Sequence, residues 1–220
     1  MCGIAGYVGK LNISNKRIQN TLRSMYNRGP DNSDYLKIRN NNKNIFFLHS
    51  RLSIIDLKIR SNQPFIYQDK ALTFNGEIYN YIELRKELIK LGYEFSTNSD
   101  TEVLIKGYDC FKEKIFDKLE GMWALAIYDK AKDKLLLSRD RFGEKPLYYS
   151  KSNGGIYFGS ETKFIQNLDN CHYIDPRVDH YEITNNMLGV ISVASTTGIE
   201  MLMKKKHLIL FGCEPNIFGS

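Results

Sequence analysis

Met1-Cys2-Gly3-Ile4-Ala5-Gly6-Tyr7-Val8 opens the chain. Residues 4–8 are apolar and glycine-flanked, too short for a helix, and read as a buried strand with Cys2 at its head. Loss of Met1 would put a thiol and a free α-amino group on one residue. A thiol of unperturbed pKa about 8.5 is partly thiolate near neutrality, and an amine of pKa about 7.7–8.0 accepts or relays its proton. The first strand therefore carries a nucleophile with its own base, and processing is expected to expose Cys2.

Working outward, Ser14 is placed to cap a helix running to about Tyr26, with Ile18, Leu22 and Met25 on one face. Residues 34–38 and 45–49 are strand-like, and the Asn-rich run 40–44 between them reads as a hairpin turn. Residues 71–74 form another expected strand, ending at Asn75-Gly76. Ile82, Leu84, Leu88 and Leu91 then give an amphipathic helix stopped by Gly92. Ser99-Asp100-Thr101-Glu102 has the form of a capping box and opens a helix through Val103, Leu104 and Tyr108. Residues 123–128, 134–138, 146–150 and 156–159 are closely spaced strands joined by turn residues. The fold class that follows is α+β with largely antiparallel strands.

The 220 residues, 42% of them hydrophobic, are enough for one domain with a sizeable core. Lys and Arg exceed Asp and Glu by 31 to 25, but the signs interleave and no recognition motif accompanies them. A solvated surface is read, with no nucleic-acid partner. Cys2, Cys110, Cys171 and Cys213 are widely spread, without a C-x-x-C pair, which fits a reducing cytoplasm and no metal site. The N-terminus lacks a basic region followed by an apolar run, so no signal peptide is expected. The longest uncharged run, residues 183–199, is broken by Thr, Asn, Ser and Gly and is shorter than the roughly 20 apolar residues that span a bilayer.

Breaking a carboxamide through a thioester needs a nucleophile, a base, an oxyanion hole and a grip on the far end of the substrate. Cys2 and its α-amine are candidates for the first two. Asn75-Gly76 offers a side-chain amide and a backbone N–H to one developing oxyanion. Arg51 has the planar fork for a bidentate hold on a carboxylate, and Asp100 a charge for an ammonium. Taken singly, each has an ordinary structural reading: a buried cysteine, a turn, an ion pair, a helix cap. Their joint occurrence points to chemistry. His49 is read as structural, because the terminal amine already fills the role of base. Arg28-Gly29-Pro30-Asp31 reads as a tight turn near the site.

The segments Cys2-Gly3-Ile4, Arg28-Gly29-Pro30-Asp31, His49-Ser50-Arg51-Leu52-Ser53-Ile54-Ile55-Asp56 and Gln63-Pro64 are followed by Asn75-Gly76-Glu77-Ile78-Tyr79-Asn80 and Ser99-Asp100-Thr101-Glu102. Gly121-Met122-Trp123-Ala124, the run Arg139-Asp140-Arg141-Phe142-Gly143-Glu144-Lys145-Pro146-Leu147-Tyr148, and Phe158-Gly159-Ser160-Glu161-Thr162-Lys163 complete an ordered series over about 165 residues. This series resembles the class II glutamine amidotransferase domain, an N-terminal nucleophile (Ntn) hydrolase, and within that class the glutaminase half of asparagine synthetase. The resemblance implies a four-layer αββα sandwich of two antiparallel sheets. It also implies that Cys2 attacks the side-chain carbonyl of L-glutamine while Asn75 and Gly76 steady the oxyanion. Arg51 would hold the α-carboxylate, Leu52, Ser53, Ile54 and Ile55 would line the pocket, and Glu77 and Asp100 would receive the α-ammonium.

The family pattern is expected to stop at about residue 179, giving a glutaminase domain over 1–179 and an atypical tail over 180–220. An asparagine synthetase would continue into a domain with a pyrophosphate loop of the form S-G-G-x-D-S. The nearest string, Ser152-Asn153-Gly154-Gly155, lacks the Asp-Ser and reads as a turn. ATP and Mg would belong to that missing domain, so no cofactor is expected in this chain. A separate synthetase domain or subunit is a candidate partner. The alternatives are an idle remnant, an interaction module, or a glutaminase subunit serving another amidotransferase.

Overall fold

This computed structural model describes residues 2–152 and 154–169, together with the backbone of residues 189–192 and 207–210. Contacts group the chain into two units, Met1–His172 and Tyr173–Ser220. In the first, β1 (Gly3–Gly9) is followed by α1 (Asn15–Met25), β2 (Asn32–Asn40), β3 (Lys43–Arg51), β4 (Phe65–Tyr67) and β5 (Lys70–Ile78). Helices α2 (Tyr81–Lys90), α3 (Asp100–Phe111) and α4 (Ile115–Lys118) come next. Then follow β6 (Gly121–Asp129), β7 (Lys134–Arg139), β8 (Tyr148–Ser152), β9 (Gly155–Gly159) and α5 (Thr162–Asp169).

The strands form two antiparallel sheets, one in the order β2-β3-β1-β9-β8 and one in the order β4-β5-β6-β7. Period-two alternation on the central strands sorts the core into three apolar spaces. Ala5, Tyr7, Phe46, Leu48 and Tyr157 face one way, against Ile18, Leu22 and Met25 of α1 and Phe164, Ile165 and Leu168 of α5. Val8, Ile45, Phe47 and Phe158 face the other way, against Ala71, Ala126 and Tyr128 of the second sheet. On the far side of that sheet, Leu72, Phe74, Trp123, Leu125 and Ile127 pack on Leu84, Leu88, Val103, Leu104 and Tyr108 of α2 and α3. Three apolar spaces separate four layers, αββα, as expected. Each fully buried Phe, Leu or Ile contributes roughly 1.5–3 kcal/mol by leaving water.

Several local expectations need correction. The strand at residues 71–74 does not end at Asn75-Gly76: β5 continues to Ile78, with Asn75 opposite Ala124 and Gly76 opposite Trp123. Pairing with β6 overrides the turn tendency of Asn-Gly. On α2, Leu84 and Leu88 are buried, but Ile82 is exposed, as is Leu91 just past the helix end. Ser14 stands at the start of α1 without a side-chain cap. Ser99 Oγ does accept from Glu102 N–H at 3.3 Å. The Glu102 carboxylate reaches past Ser99, however, to the N–H groups of Ser96 and Thr97 and to Lys106.

In the second unit the described strands β10 (Gly189–Ser192) and β11 (His207–Leu210) pair in parallel. The loop expected at 173–179, Cys171 and the Lys204-Lys205-Lys206 run lie outside the described residues. No helix among the described residues is long and apolar enough to cross a membrane.

Candidate active site

β1 is the central strand of its sheet, and its register places Gly3 opposite Ser50. Cys2 therefore leaves the sheet beside Arg51 and Leu52. Its sulfur sits against the Leu52 backbone, accepting from the N–H at 3.3 Å and 3.5 Å from the carbonyl oxygen. Burial raises the thiol pKa, while the Leu52 contact and the Arg51 charge oppose the rise. The Arg28 Nε–H donates to the Cys2 carbonyl at 3.0 Å.

Two contacts stitch β3 to β5 across the sandwich. Thr73 Oγ1 donates to the Leu48 carbonyl at 3.3 Å, and His49 Nε2 lies 3.2 Å from the Phe74 carbonyl. They set Asn75 and Gly76 across from Cys2 and Leu52. His49 is fully buried, and burial lowers its pKa to about 3, so its ring is neutral and structural, as read from the sequence.

A cavity of about 110 Å³ opens here, lined by Cys2, Arg51, Leu52, Ile54, Ile55, Asn75, Gly76, Glu77 and Asp100 among others. Of the sequence-predicted site residues, Ser53 is left out of the lining, and its N–H donates to Asp31 Oδ2 at 2.7 Å. Asn75 is 1% exposed, and its Nδ2 has no hydrogen-bond partner. A buried donor without a partner is costly unless something arrives to accept from it.

Gly76 complements that donor through its backbone. Phe74 N–H and Ile78 N–H both point away from β6, to Gln63 Oε1 at 2.7 Å and to Asp100 Oδ2 at 3.2 Å. Ladder alternation turns the Gly76 N–H the same way, into the cavity. A Cβ on Gly76 would stand 2.1 Å from the Met122 carbonyl oxygen, so no side chain fits at this position.

At the other end of the cavity, Asp100 is 5% exposed, and burial raises its pKa to about 6. Backbone N–H groups hold the carboxylate down, and the nearby charge of Glu77 pushes it up. Two carboxylates thus share a site that favours an incoming cation.

Arg51 differs from expectation. Its Nη1 donates to the Lys58 carbonyl at 3.2 Å and to Asn62 Oδ1 at 2.7 Å, and its Nη2 to the carbonyls of Ile55 and Asp56. The fork is thus occupied by the loop after β3, so a bidentate carboxylate clasp is not open in this arrangement. The physical reason is that this loop has carbonyl oxygens with no strand partner, and the guanidinium supplies donors to them. What Arg51 gives the cavity is charge and a fixed wall at Ile54 and Ile55.

Ser61, Gln63, Thr101, Met122 and Lys145 also line the cavity and were not singled out from the sequence as site residues. Gln63 bridges β5 to α3, accepting from Phe74 N–H and donating to Thr101 Oγ1 at 3.2 Å. Gln63, Met122 and Lys145 fall inside the family-like segments, and Thr101 follows Asp100 directly. Among the described residues no group of His, Cys, Asp and Glu is placed to hold a metal ion.

A family model described as glutamine amidotransferase domain matches residues 1–207. The chain belongs to this family. Glutamine-hydrolyzing asparagine synthetase 1 of Bacillus subtilis (strain 168) is 42% identical over 182 residues, covering 80% of this chain and 28% of that protein. Putative glutamine-hydrolyzing asparagine synthetase 2 of Methanocaldococcus jannaschii is 37% identical over 188 residues, covering 75% of this chain and 35% of that protein. This amidotransferase chain thus spans about a third or less of the length of those relatives. Among solved structures, glutamine phosphoribosylpyrophosphate amidotransferase from B. subtilis, complexed with ADP and GMP, superposes with a TM-score of 0.62 at 20% identity. That match covers 79% of this chain and 44% of the other. A structure titled as the allosteric regulatory enzyme of purine biosynthesis gives 0.64 at 18% identity, covering 76% and 43%. At such identities these two share the Ntn-hydrolase fold with this chain, which agrees with the four layers derived from its core.

Proposed function

We propose that this amidotransferase domain hydrolyses L-glutamine to glutamate and ammonia through a thioester on Cys2, and that it is the glutaminase part of an asparagine synthetase. The observation that carries the reading is the single cavity in which the Cys2 sulfur, the unpartnered Asn75 Nδ2 and the Asp100 carboxylate meet.

In this mechanism the α-amine of a processed Cys2 takes the thiol proton as sulfur attacks the glutamine side-chain carbonyl. Asn75 Nδ2 and Gly76 N–H stabilise the tetrahedral oxyanion. The amine returns its proton to the leaving nitrogen, ammonia departs, and a γ-glutamyl thioester remains. Water attacks that carbonyl, the C–S bond breaks, and glutamate leaves. Asp100 and Glu77 pair the α-ammonium, and Arg51 contributes positive charge toward the α-carboxylate. The thiol needs a reducing compartment, and the cytoplasm supplies one.

In this reading residues 1–179 form the glutaminase, and the ATP-dependent acceptor chemistry belongs to a separate domain or subunit. The test compares purified protein with a Cys2→Ala variant for glutamate release from glutamine. Release that depends on Cys2 is expected. Equal rates favour the idle or interaction-module alternative and remove the catalytic one.

A further inference from the structure

The segment that follows β9 grips the start of β1 residue by residue. Gly159 is paired with Ala5 in the ladder. Ser160 then takes both polar groups of Ile4: its N–H donates to the Ile4 carbonyl at 2.9 Å, and its Oγ accepts from the Ile4 N–H at 3.1 Å. One step further, Glu161 Oε1 accepts from Arg28 Nη1 at 3.0 Å, and Arg28 Nε–H donates to the Cys2 carbonyl at 3.0 Å. Arg28 Nη2 is buried and has no hydrogen-bond partner. The orientation of the guanidinium therefore rests on Glu161 at one end and Cys2 at the other. The ion pair is largely shielded, with side-chain exposures of 16% for Arg28 and 31% for Glu161.

We propose that Glu161 is a positioning residue for the nucleophile, acting through Arg28 to fix the Cys2 backbone. Cys2 lies beyond the last ladder pair of its strand, so its carbonyl has no sheet partner to set the direction of the side chain. The Arg28 contact replaces that partner, and Glu161 stops Arg28 from swinging away. With the carbonyl fixed, the sulfur stays against Leu52 N–H and faces Asn75. Lys163 holds the second carboxylate oxygen at 2.7 Å, which leaves Oε1 to Arg28. This proposal rests on the glutaminase reading above.

The test measures steady-state glutamine hydrolysis by the wild type, Glu161→Ala, Glu161→Gln, Arg28→Met and the double variant Arg28→Met with Glu161→Ala. A misplaced nucleophile costs turnover rather than binding, so Glu161→Ala should lower kcat about tenfold and leave KM within about twofold. Glu161→Gln keeps one acceptor oxygen without the charge and should lose about threefold in kcat, again at unchanged KM. In the Arg28→Met background, Glu161→Ala should add less than about twofold, because the two act as one unit. Should Glu161→Ala fail to fold, the Glu161→Gln comparison decides. Unchanged kcat in a folded Glu161 variant, a loss carried by KM, or a full additional loss without Arg28 overturns the proposal. A wild-type protein that releases no glutamate overturns the glutaminase reading on which it rests.

Discussion

Replacing Asn75 with Ala removes a donor that the folded protein leaves without a partner. Two opposite consequences follow for activity and stability. For activity, one oxyanion donor is worth about 2.7–4 kcal/mol of barrier, so kcat should fall by about 10²–10³-fold. For stability, a buried amide donor without an acceptor costs about 1–3 kcal/mol, and its removal recovers that amount against the packing lost when the side chain is truncated. The Asn75 backbone stays paired with Ala124 in either case. The net change should stay within about 1 kcal/mol, a shift of roughly 2–4 °C in Tm for a chain of this size. The assay is glutamate release under saturating glutamine beside a thermal melt of the same preparation. A fall of less than about tenfold in kcat, or a collapse of Tm accompanying the loss, would refute the assignment of Asn75 as an oxyanion donor.

Asp100 links binding and stability to pH. Its folded pKa of about 6 lies above the ordinary value of 3.8, so its contribution to stability is fully present below 3.8 and is lost as pH rises through 6. Asp100→Asn keeps an acceptor for the Ile78 N–H and removes that dependence. Calorimetry should show the variant gaining up to about 3 kcal/mol on the wild type near pH 7.5 and little near pH 4, while KM for glutamine rises at least tenfold. In the wild type, kcat/KM should decline as pH falls below about 6, where the protonated carboxyl no longer pairs an ammonium; a flat profile there would count against Asp100. Arg51→Met should lower Tm by roughly 5–10 °C as well as weaken glutamine binding, because four loop acceptors lose their donors. Arg51→Lys should not restore Tm, since a point ammonium cannot reach acceptors arranged around a planar fork; full restoration would contradict the dual role.

The periodic elements were legible in the sequence. β1, the β2–β3 hairpin, α1 and α3 follow directly from apolar spacing and turn residues. Asn75-Gly76 misled because an isolated Asn-Gly pair favours a turn, whereas here nine consecutive residues of β5 pair with β6. α5 went unread because it spans only eight residues and its burial depends on α1 and the first sheet. At the site, residue types told the chemistry but not the partners. The commitment of Arg51 to its own loop depends on where the carbonyls of Ile55, Asp56 and Lys58 fall. Thr101 reaches the cavity because the start of α3 packs beside the end of β5 through Gln63, and Lys145 because the segment between β7 and β8 passes from one sheet to the other. The part of Glu161 is likewise invisible until β9 lies beside β1.

Mass spectrometry of the N-terminal peptide during turnover tests the central claim most directly. Protein quenched in acid with glutamine present should yield a peptide that begins at Cys2, carries a free amine, and is heavier by one thioester-linked glutamyl group that hydroxylamine removes. A turning-over protein whose N-terminal peptide retains Met1, or on which no glutamyl adduct forms at Cys2, would contradict the account.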